Sequence, residues 1–263
     1  VKTLEPTHVL RRIVESKSRR VSDSEKRVPE PIIRKMAAMA SDVPSFRAAL
    51  ESRGRTHVIA EVKKASPSAG VLIDPLDVDR LAATYASAGA SAISVVTEED
   101  FFAGNLGWVR SAGQAAGLPV LRKDFVFDPY QVLETRAAGA SAILLIVALL
   151  DPVELGRLLA VAHDSGLDSV VEVHDESELD EALGAGARIV GVNNRDLKTF
   201  DVRLETSERL GALIPDDVIF IAESGIRTRD DIRRLAAAGA RGFLVGEHLL
   251  RSPDPGQALR DLL

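Results

Sequence analysis

The sequence contains no cysteine in 263 residues. That absence excludes disulfides, thiolate catalysis and cysteine-held metal. Histidine is scarce and scattered, at His8, His57, His163, His174 and His248. There is no HExxH pair and no ligand-like spacing, so no metal is expected. An excess of positive charge is also missing. The formal net charge is −6, which argues against nucleic acid or an anionic membrane as the main partner. The longest apolar stretch, Ala142 to Leu150, is far too short to span a bilayer. The N-terminal VKTLEPTHVLRRIVESKSRR is charged and lacks the apolar core of a signal peptide. No GxGxxG follows any strand-like run, so the usual mark of a dinucleotide-binding sheet is absent. A soluble, cytoplasmic protein is expected.

What is present is repetition. AGASAI at 88–93 recurs letter for letter at 138–143. Weaker copies are GAGARI at 184–189, AAGARG at 237–242 and SGLDSV at 165–170. Each follows a helix-like segment and precedes a short apolar run. Glycine suits a left-handed helix C-cap there, and small residues let the chain enter the next strand tightly. Reading outward from these junctions gives eight strand candidates, near 57–62, 91–96, 119–123, 141–146, 168–173, 187–192, 218–223 and 241–246. Helical segments lie between them. One is 151–165, with Leu155, Leu158, Leu159 and Ala162 at helical spacing, and Asp151-Pro152 and the Thr228/Asp231 pair look like helix starts. Apolar strands separated by helices imply a parallel sheet covered on both sides. Eight such units imply a closed (β/α)₈ TIM barrel, with an open doubly wound sheet as the alternative. Residues 57–263 would form the barrel. Residues 1–56 would be a helical extension packed on it, with Val9, Leu10, Ile13 and Val14 as one apolar stripe. Met36, Met39, Phe46 and Leu50 mark further short helices, broken at Pro29, Pro31 and Pro44.

In a barrel of this kind the chemistry sits at the C-terminal strand ends, and side chains alternate between the interior and the helix layer. Alternation places Ile59, Glu61 and Lys63 on one face, and Leu121, Lys123 and Phe125 on another. It likewise groups Val170 with Glu172, Gly191 with Asn193 and Arg195, and Ile221 with Glu223. On each of these strands an inward apolar series ends in a polar group, which suggests a built site. Glu61 and Lys63 could equally be an ordinary ion pair at a strand end. Glu172 is harder to set aside, since an unpaired buried carboxylate is costly. Arg122 and Asp124 have the opposite parity to Lys123 and should make structural pairs with the helix layer. His174 has the inward parity but lies further out. Ser224-Gly225 after the seventh strand and Gly246-Glu247 after the eighth occupy the usual phosphate cradle of such barrels. Ser66, after the first strand, adds a hydroxyl donor. A phosphorylated small-molecule substrate is expected.

The motifs EVKKASPSAG (61–70), LPVLRKDF (118–125), LLIVALL (144–150), VEVH (171–174), NNRDL (193–197), ESGI (223–226) and FLVGE (243–247) stand in order along the chain. This set closely resembles the indole-3-glycerol phosphate synthase family of tryptophan biosynthesis over essentially the whole length. Position 69 departs from it, with alanine where the family often has lysine. The resemblance implies a carbon–carbon lyase that needs no cofactor and acts on 1-(2-carboxyphenylamino)-1-deoxyribulose 5-phosphate. It implies Lys123 as the general acid at the ketone oxygen, and Glu172 as acid/base in the dehydration with Lys63 alongside. Glu61 and Asn193 would hold these groups in register. Arg195 and Lys63 would offset anionic charge, and Phe125 and Leu197 would wall the aromatic ring. Ser66, Ser224, Gly225, Gly246 and Glu247 would line the phosphate end. Lys123 is expected to have a pKa pushed toward neutrality by neighbouring cations. A monomer is expected, since no long exposed apolar stripe is evident. Rival readings are another phosphosugar barrel enzyme, a catalytically silent barrel, or a redesigned scaffold acting on a different substrate.

Overall fold

The computed structural model describes residue 2 and residues 9–52, 55–197 and 199–263. His8 and several other residues of the 1–56 segment lie outside the described residues. The repeated junctions behave as helix ends. Gly89 and Gly139, in the two identical copies, have φ of 103° and 85°, and Gly166, Gly186 and Gly239 are left-handed as well. A side chain there would meet a backbone conformation that L-residues rarely adopt. Each reversal delivers the chain straight into a buried strand.

The extension comprises α1 (Val9–Arg27), α2 (Glu30–Ala38) and α3 (Phe46–Leu50). β1 (His57–Val62) follows, then a small antiparallel hairpin of β2 (Ala65–Ser66) and β3 (Gly70–Val71). Next come α4 (Val78–Ala88), β4 (Ala92–Val96), α5 (Gly107–Ala116), β5 (Val120–Lys123) and α6 (Pro129–Ala137). They are followed by β6 (Ala142–Ile146), α7 (Pro152–Asp164), β7 (Asp168–Val173), α8 (Glu176–Gly184) and β8 (Ile189–Asn193). The chain continues with α9 (Glu205–Gly211), β9 (Ile219–Glu223), α10 (Arg229–Ala237), β10 (Gly242–Val245), α11 (Glu247–Arg251) and α12 (Pro255–Leu262). Eight parallel strands close in the order β1-β10-β9-β8-β7-β6-β5-β4. This is the (β/α)₈ TIM barrel expected from the sequence, and the open sheet is excluded by the β1–β10 pairing. The two helix starts read from the sequence are fixed by side chains. Asp151 accepts from the Glu154 N–H, and Thr228 with Asp231 forms a reciprocal capping box. Among the described residues no helix is long and apolar enough to cross a membrane.

One expectation about the extension is corrected. Pro31 does not break a helix. It lies in the first turn of α2, where a missing N–H costs nothing because that donor has no intrahelical partner. The helices also sit at different places. Phe46 and Leu50 of α3 are fully buried in the main core, and the Arg47 N–H donates to Asp168 at the start of β7. α1 lies at the opposite, C-terminal end, where Leu10 and Ile13 are buried. Lys17, also buried, reaches Asp124 at 2.9 Å and Glu99 at 2.6 Å. Ser16 and Arg20 add hydrogen bonds to Asp100. The loop they grip is itself held by Glu98, whose carboxylate accepts from the N–H groups of Asp100, Phe101 and Phe102. Val21 of α1 packs with Ile33 and Ala37 of α2 and with Tyr130 and Leu133 of α6.

Candidate active site

A cavity of about 720 Å³ opens at the C-terminal ends of the barrel strands. All of the site residues read from the sequence line it: Glu61, Lys63, Ser66, Lys123, Phe125, Glu172, Asn193, Arg195, Leu197, Glu223, Ser224, Gly225, Gly246 and Glu247. Strand alternation accounts for the inward set. Asn193 pairs with Glu223 across β8 and β9, and Glu172 pairs with Ile146 across β7 and β6. These positions therefore form one layer at the mouth of the barrel, above the packed apolar interior.

Lys123 is the centre of that layer. Its Nζ lies 3.0 Å from Glu172 Oε2 and 3.0 Å from Glu223 Oε2. An ammonium has three donors, so one remains for a ligand. The expectation that Lys123 is surrounded by cations, and hence pushed toward neutrality, is wrong. Burial does act in that direction, but Glu172, Glu223 and Glu61 overcome it and raise the pKa above the usual lysine value. Sequence alternation placed Lys123 inward but did not reveal that its nearest neighbours are carboxylates from β7 and β9.

The two carboxylates are not equivalent. Burial disfavours charge on Glu172, yet Lys123, His174 and Asn193 together hold it below the ordinary range. Asn193 Nδ2 donates to Glu172 Oε1 at 3.2 Å, while Asn193 Oδ1 accepts from Ser224 Oγ at 2.8 Å and from the Arg195 N–H at 3.0 Å. Asn193 thereby ties β7, β9 and the NNRDL loop together. Glu223 is pushed up to about 7 by burial, with Lys123 opposing and Glu172 and Glu61 reinforcing the rise. Its Oε1 is buried and has no hydrogen-bond partner among the described residues. At neutral pH Glu172 is therefore the ionised member, and Glu223 is the one that readily holds a proton.

His174 does not line the cavity. It stands behind Glu172, with Nε2 3.3 Å from Glu172 Oε1 and Nδ1 2.9 Å from Glu178 Oε2. The first contact misses hydrogen-bond geometry, so it counts here as a charge contact rather than a hydrogen bond. Burial disfavours the imidazolium, but Glu172 and Glu178 push the pKa up to about 10. This predicts a pH dependence with a definite sign. The folded value lies above the unfolded 6.5, so the stabilisation is complete below pH 6.5 and is lost as pH rises through about 10. Urea unfolding across that window should show the parent losing stability, with His174→Gln losing less. Equal slopes for the two proteins would remove His174 from this role.

At the other side of the mouth, Lys63 is held on Glu61 with Nζ 2.5 Å from Oε1. Arg195 approaches Glu247 at 3.6 Å and donates to the Phe200 carbonyl. Gly225, with φ of 83°, follows Ser224, a non-glycine residue at φ 68°. Such a value in a non-glycine residue is a local strain of the kind that clusters at functional sites. Gly246 precedes the short α11, and a Cβ there would fall 2.3 Å from Glu61 Oε1. The glycine after β10 thus also clears space for a carboxylate on β1.

Some lining residues were not singled out by the sequence. Phe102, in the loop after β4, tilts against Phe125 with ring centroids 6.1 Å apart. Ile226 and Arg227 extend the loop after β9 into the cavity wall. Val9, Leu10 and Ile13 of α1 close the mouth from above. Their apolar stripe was legible, but the end of the barrel it would cover was not. Arg122 turns toward the helix layer as expected, whereas Asp124, against the expectation, pairs with Arg122 and with Lys17 of α1 and also lines the cavity. Arg122 donates to Thr97, the Gln131 carbonyl, Glu134, Thr135 and Asp124.

Comparison with known proteins gives a single answer. A family model described as indole-3-glycerol phosphate synthase matches residues 10–262. Curated proteins named indole-3-glycerol phosphate synthase are similar over nearly the full length. The one from Carboxydothermus hydrogenoformans is 44% identical, covering 97% of this chain and 99% of its own. That from Dehalococcoides mccartyi strain CBDB1 is 48% identical, covering 97% and 100%. Among solved structures, a 3-hexulose-6-phosphate synthase from Salmonella typhimurium aligns with a TM-score of 0.60 at 12% identity, covering 78% of this chain and 96% of its own. A thiamine phosphate pyrophosphorylase from Pyrococcus furiosus aligns with a TM-score of 0.58 at 16% identity, covering 83% and 96%. At that identity the structural likeness speaks for the barrel alone.

Proposed function

The chain belongs to the indole-3-glycerol phosphate synthase family, and from that premise we propose how its barrel mouth divides the work of the reaction. The enzyme is a carboxy-lyase. It closes the pyrrole ring of 1-(2-carboxyphenylamino)-1-deoxyribulose 5-phosphate, releasing carbon dioxide and then water. A bond forms from the aromatic carbon bearing the carboxylate to the ketone carbon, and the ketone oxygen gains a proton. The carboxylate departs as CO₂, which restores the aromatic ring. The new hydroxyl then leaves as water, while the five-membered ring gives up a proton.

The observation that carries the assignment is Lys123 bridging Glu172 and Glu223, with one donor left over. That third N–H points the reading to the ketone oxygen. A strongly held ammonium is a poor acid toward a ketone. It is a good stabiliser of an alkoxide, and an alkoxide is basic enough to take the proton as it forms. Lys123 therefore acts through charge first and proton transfer second. Glu172, ionised and fixed by Asn193, accepts the proton released when water leaves, and Glu223 is the group able to hold one nearby. Lys63 on Glu61 and Arg195 face the substrate's anionic groups. Phe125 and Leu197 wall the aromatic ring. Ser66, Ser224, Gly225, Gly246 and the backbone of Glu247 receive the phosphate.

Residues 1–56 serve as an extension of the barrel rather than a separate domain, a reading supported by α1 lining the cavity. A monomer in the cytoplasm is the working state, and the net charge of −6 supports the reading that nucleic acid is not a partner. Sedimentation is the check on the monomer, with exposed Ile32 and Met36 of α2 and Met39 just after it the first surface to suspect if a dimer appears. The deciding assay supplies the anilino-deoxyribulose phosphate and follows indole fluorescence. Folded protein that yields no indole product would overturn the assignment.

A further inference from the structure

We propose that Gly191 is a positioning residue, whose missing side chain on β8 is the space that seats the Glu223 carboxylate against Lys123. The inference rests on the reading of Glu223 as a working group of the site.

Gly191 is in the interior of β8, at neither a turn nor a helix cap. Its φ is not among the positive values, so the backbone does not require glycine there. Glycine in a strand interior loses more backbone freedom on folding than other residues and packs nothing, so its usual reason is a close approach by another group. That group can be named. A Cβ on Gly191 would fall 2.2 Å from Glu223 Oε1 and 3.3 Å from Glu223 Cδ. The next neighbour, Val170 Cγ1, is at 3.2 Å and can give by a few tenths of an ångström. The severe overlap is thus with the far end of a flexible side chain. The carboxylate would swing away while the sheet stays.

Register explains why this position has leverage. Gly191 pairs with Glu172 on β7 and with Ile221 on β9, while Asn193 pairs with Glu223. Gly191 therefore lies one inward step below the reactive layer, between the two carboxylates that grip Lys123. The oxygen it accommodates is the one without a hydrogen-bond partner. Among the described residues, only the other oxygen, 3.0 Å from Lys123, ties Glu223 in place. The space at Gly191 is occupied by the carboxylate in that pose, and a Cβ there would exclude it. Another glycine inside the barrel shows the contrast: the three atoms nearest a Cβ on Gly242 would be apolar ones of Ile221 and Ile59.

The test compares Gly191→Ala, Glu223→Ala and the double variant in the full chain, by kcat and by thermal melting. Gly191→Ala is expected to lose on the order of 10- to 100-fold in kcat, as displacement of a positioned group by about an ångström does. The double variant should be no slower than Glu223→Ala, within about twofold, because the group that Gly191 seats is already gone. The rate profile gives a second reading that loosened packing would not move. The ionisation that Glu223→Gln removes near neutrality should be displaced in Gly191→Ala, the charged groups facing Glu223 being Lys123, Glu172 and Glu61. Losses that multiply in the double variant, or a Gly191→Ala enzyme at the parent rate with an unmoved profile, would overturn the proposal. If Gly191→Ala fails to fold but the double variant folds, the collision is located at Glu223 and the proposal stands. If neither folds, β8 itself requires glycine and the proposal falls. A Glu223→Ala enzyme at full rate would remove the role of Glu223, and the inference with it, whereas an impaired Glu223→Ala beside a normal Gly191→Ala would sink the inference alone.

Discussion

Lys123→Ala is expected to lower kcat by on the order of 10²-fold or more while the protein stays folded, the loss typical of a positioned proton donor. The side chain supplies the one cation between Glu172 and Glu223, and its removal leaves two buried carboxylates facing each other. That arrangement cannot keep both charges, so Glu223, already poised near 7, takes up a proton and the layer survives as a neutral acid beside an anion. Stability should therefore change less than the rate. Steady-state kinetics beside a denaturation curve separate the two effects. Lys123→Arg should not restore the rate, because a planar guanidinium would pair with the carboxylates in a different geometry. A Lys123→Ala enzyme that turns over near the parent rate would remove Lys123 from the reaction.

Arg122→Ala, one residue earlier, should do the reverse. Its guanidinium is buried and binds Thr97, Gln131, Glu134, Thr135 and Asp124. Removing one partner of a buried ion pair costs about 3–5 kcal/mol, because the groups left behind lose their counter-charge in a medium that solvates them poorly. The damage is limited by Lys17, which still reaches Asp124 from α1. Arg122 does not line the cavity, so the fraction that remains folded should keep kcat and KM near the parent values. Urea unfolding and kinetics at low denaturant test both halves. An unchanged unfolding midpoint would show that the network around Arg122 contributes no net stability. A normal midpoint with lost activity would place Arg122 in the chemistry instead.

These two adjacent residues show what local sequence can tell. Alternation along LRKDF separated an inward Lys123 from an outward Arg122, and the structure places these two so, while Asp124, beyond the end of β5, borders the cavity. It could do this because side-chain direction in a strand is set by the backbone, two residues per repeat. The same rule brought Glu61, Glu172, Asn193 and Glu223 to one end of the barrel. Rules of short range also located the helix ends, since a glycine such as Gly89 or a pair such as Thr228 and Asp231 acts within one turn. The reasoning failed where a property depended on neighbours remote in sequence. Lys123 was taken to sit among cations. Its partners, Glu172 and Glu223, are 49 and 100 residues away, and they raise its pKa instead. Pro31 was taken as a breaker because its effect depends on whether it falls in the first turn of a helix or inside it.

The sequence by itself determined the barrel, the end at which its polar groups gather, and the family to which they correspond. Periodicity, capping and motif order are carried by residues close along the chain, where bonded geometry leaves little choice. Tertiary structure alone decided the charge state of Lys123, the unequal ionisation of Glu172 and Glu223, and the placing of α1 over the mouth. It also put the Glu223 carboxylate in the space beside Gly191, a residue that alternation had only placed on the inward face. Each of these depends on distances of a few ångströms between strands that meet only when the barrel closes. Both electrostatic and steric energies change steeply over that range.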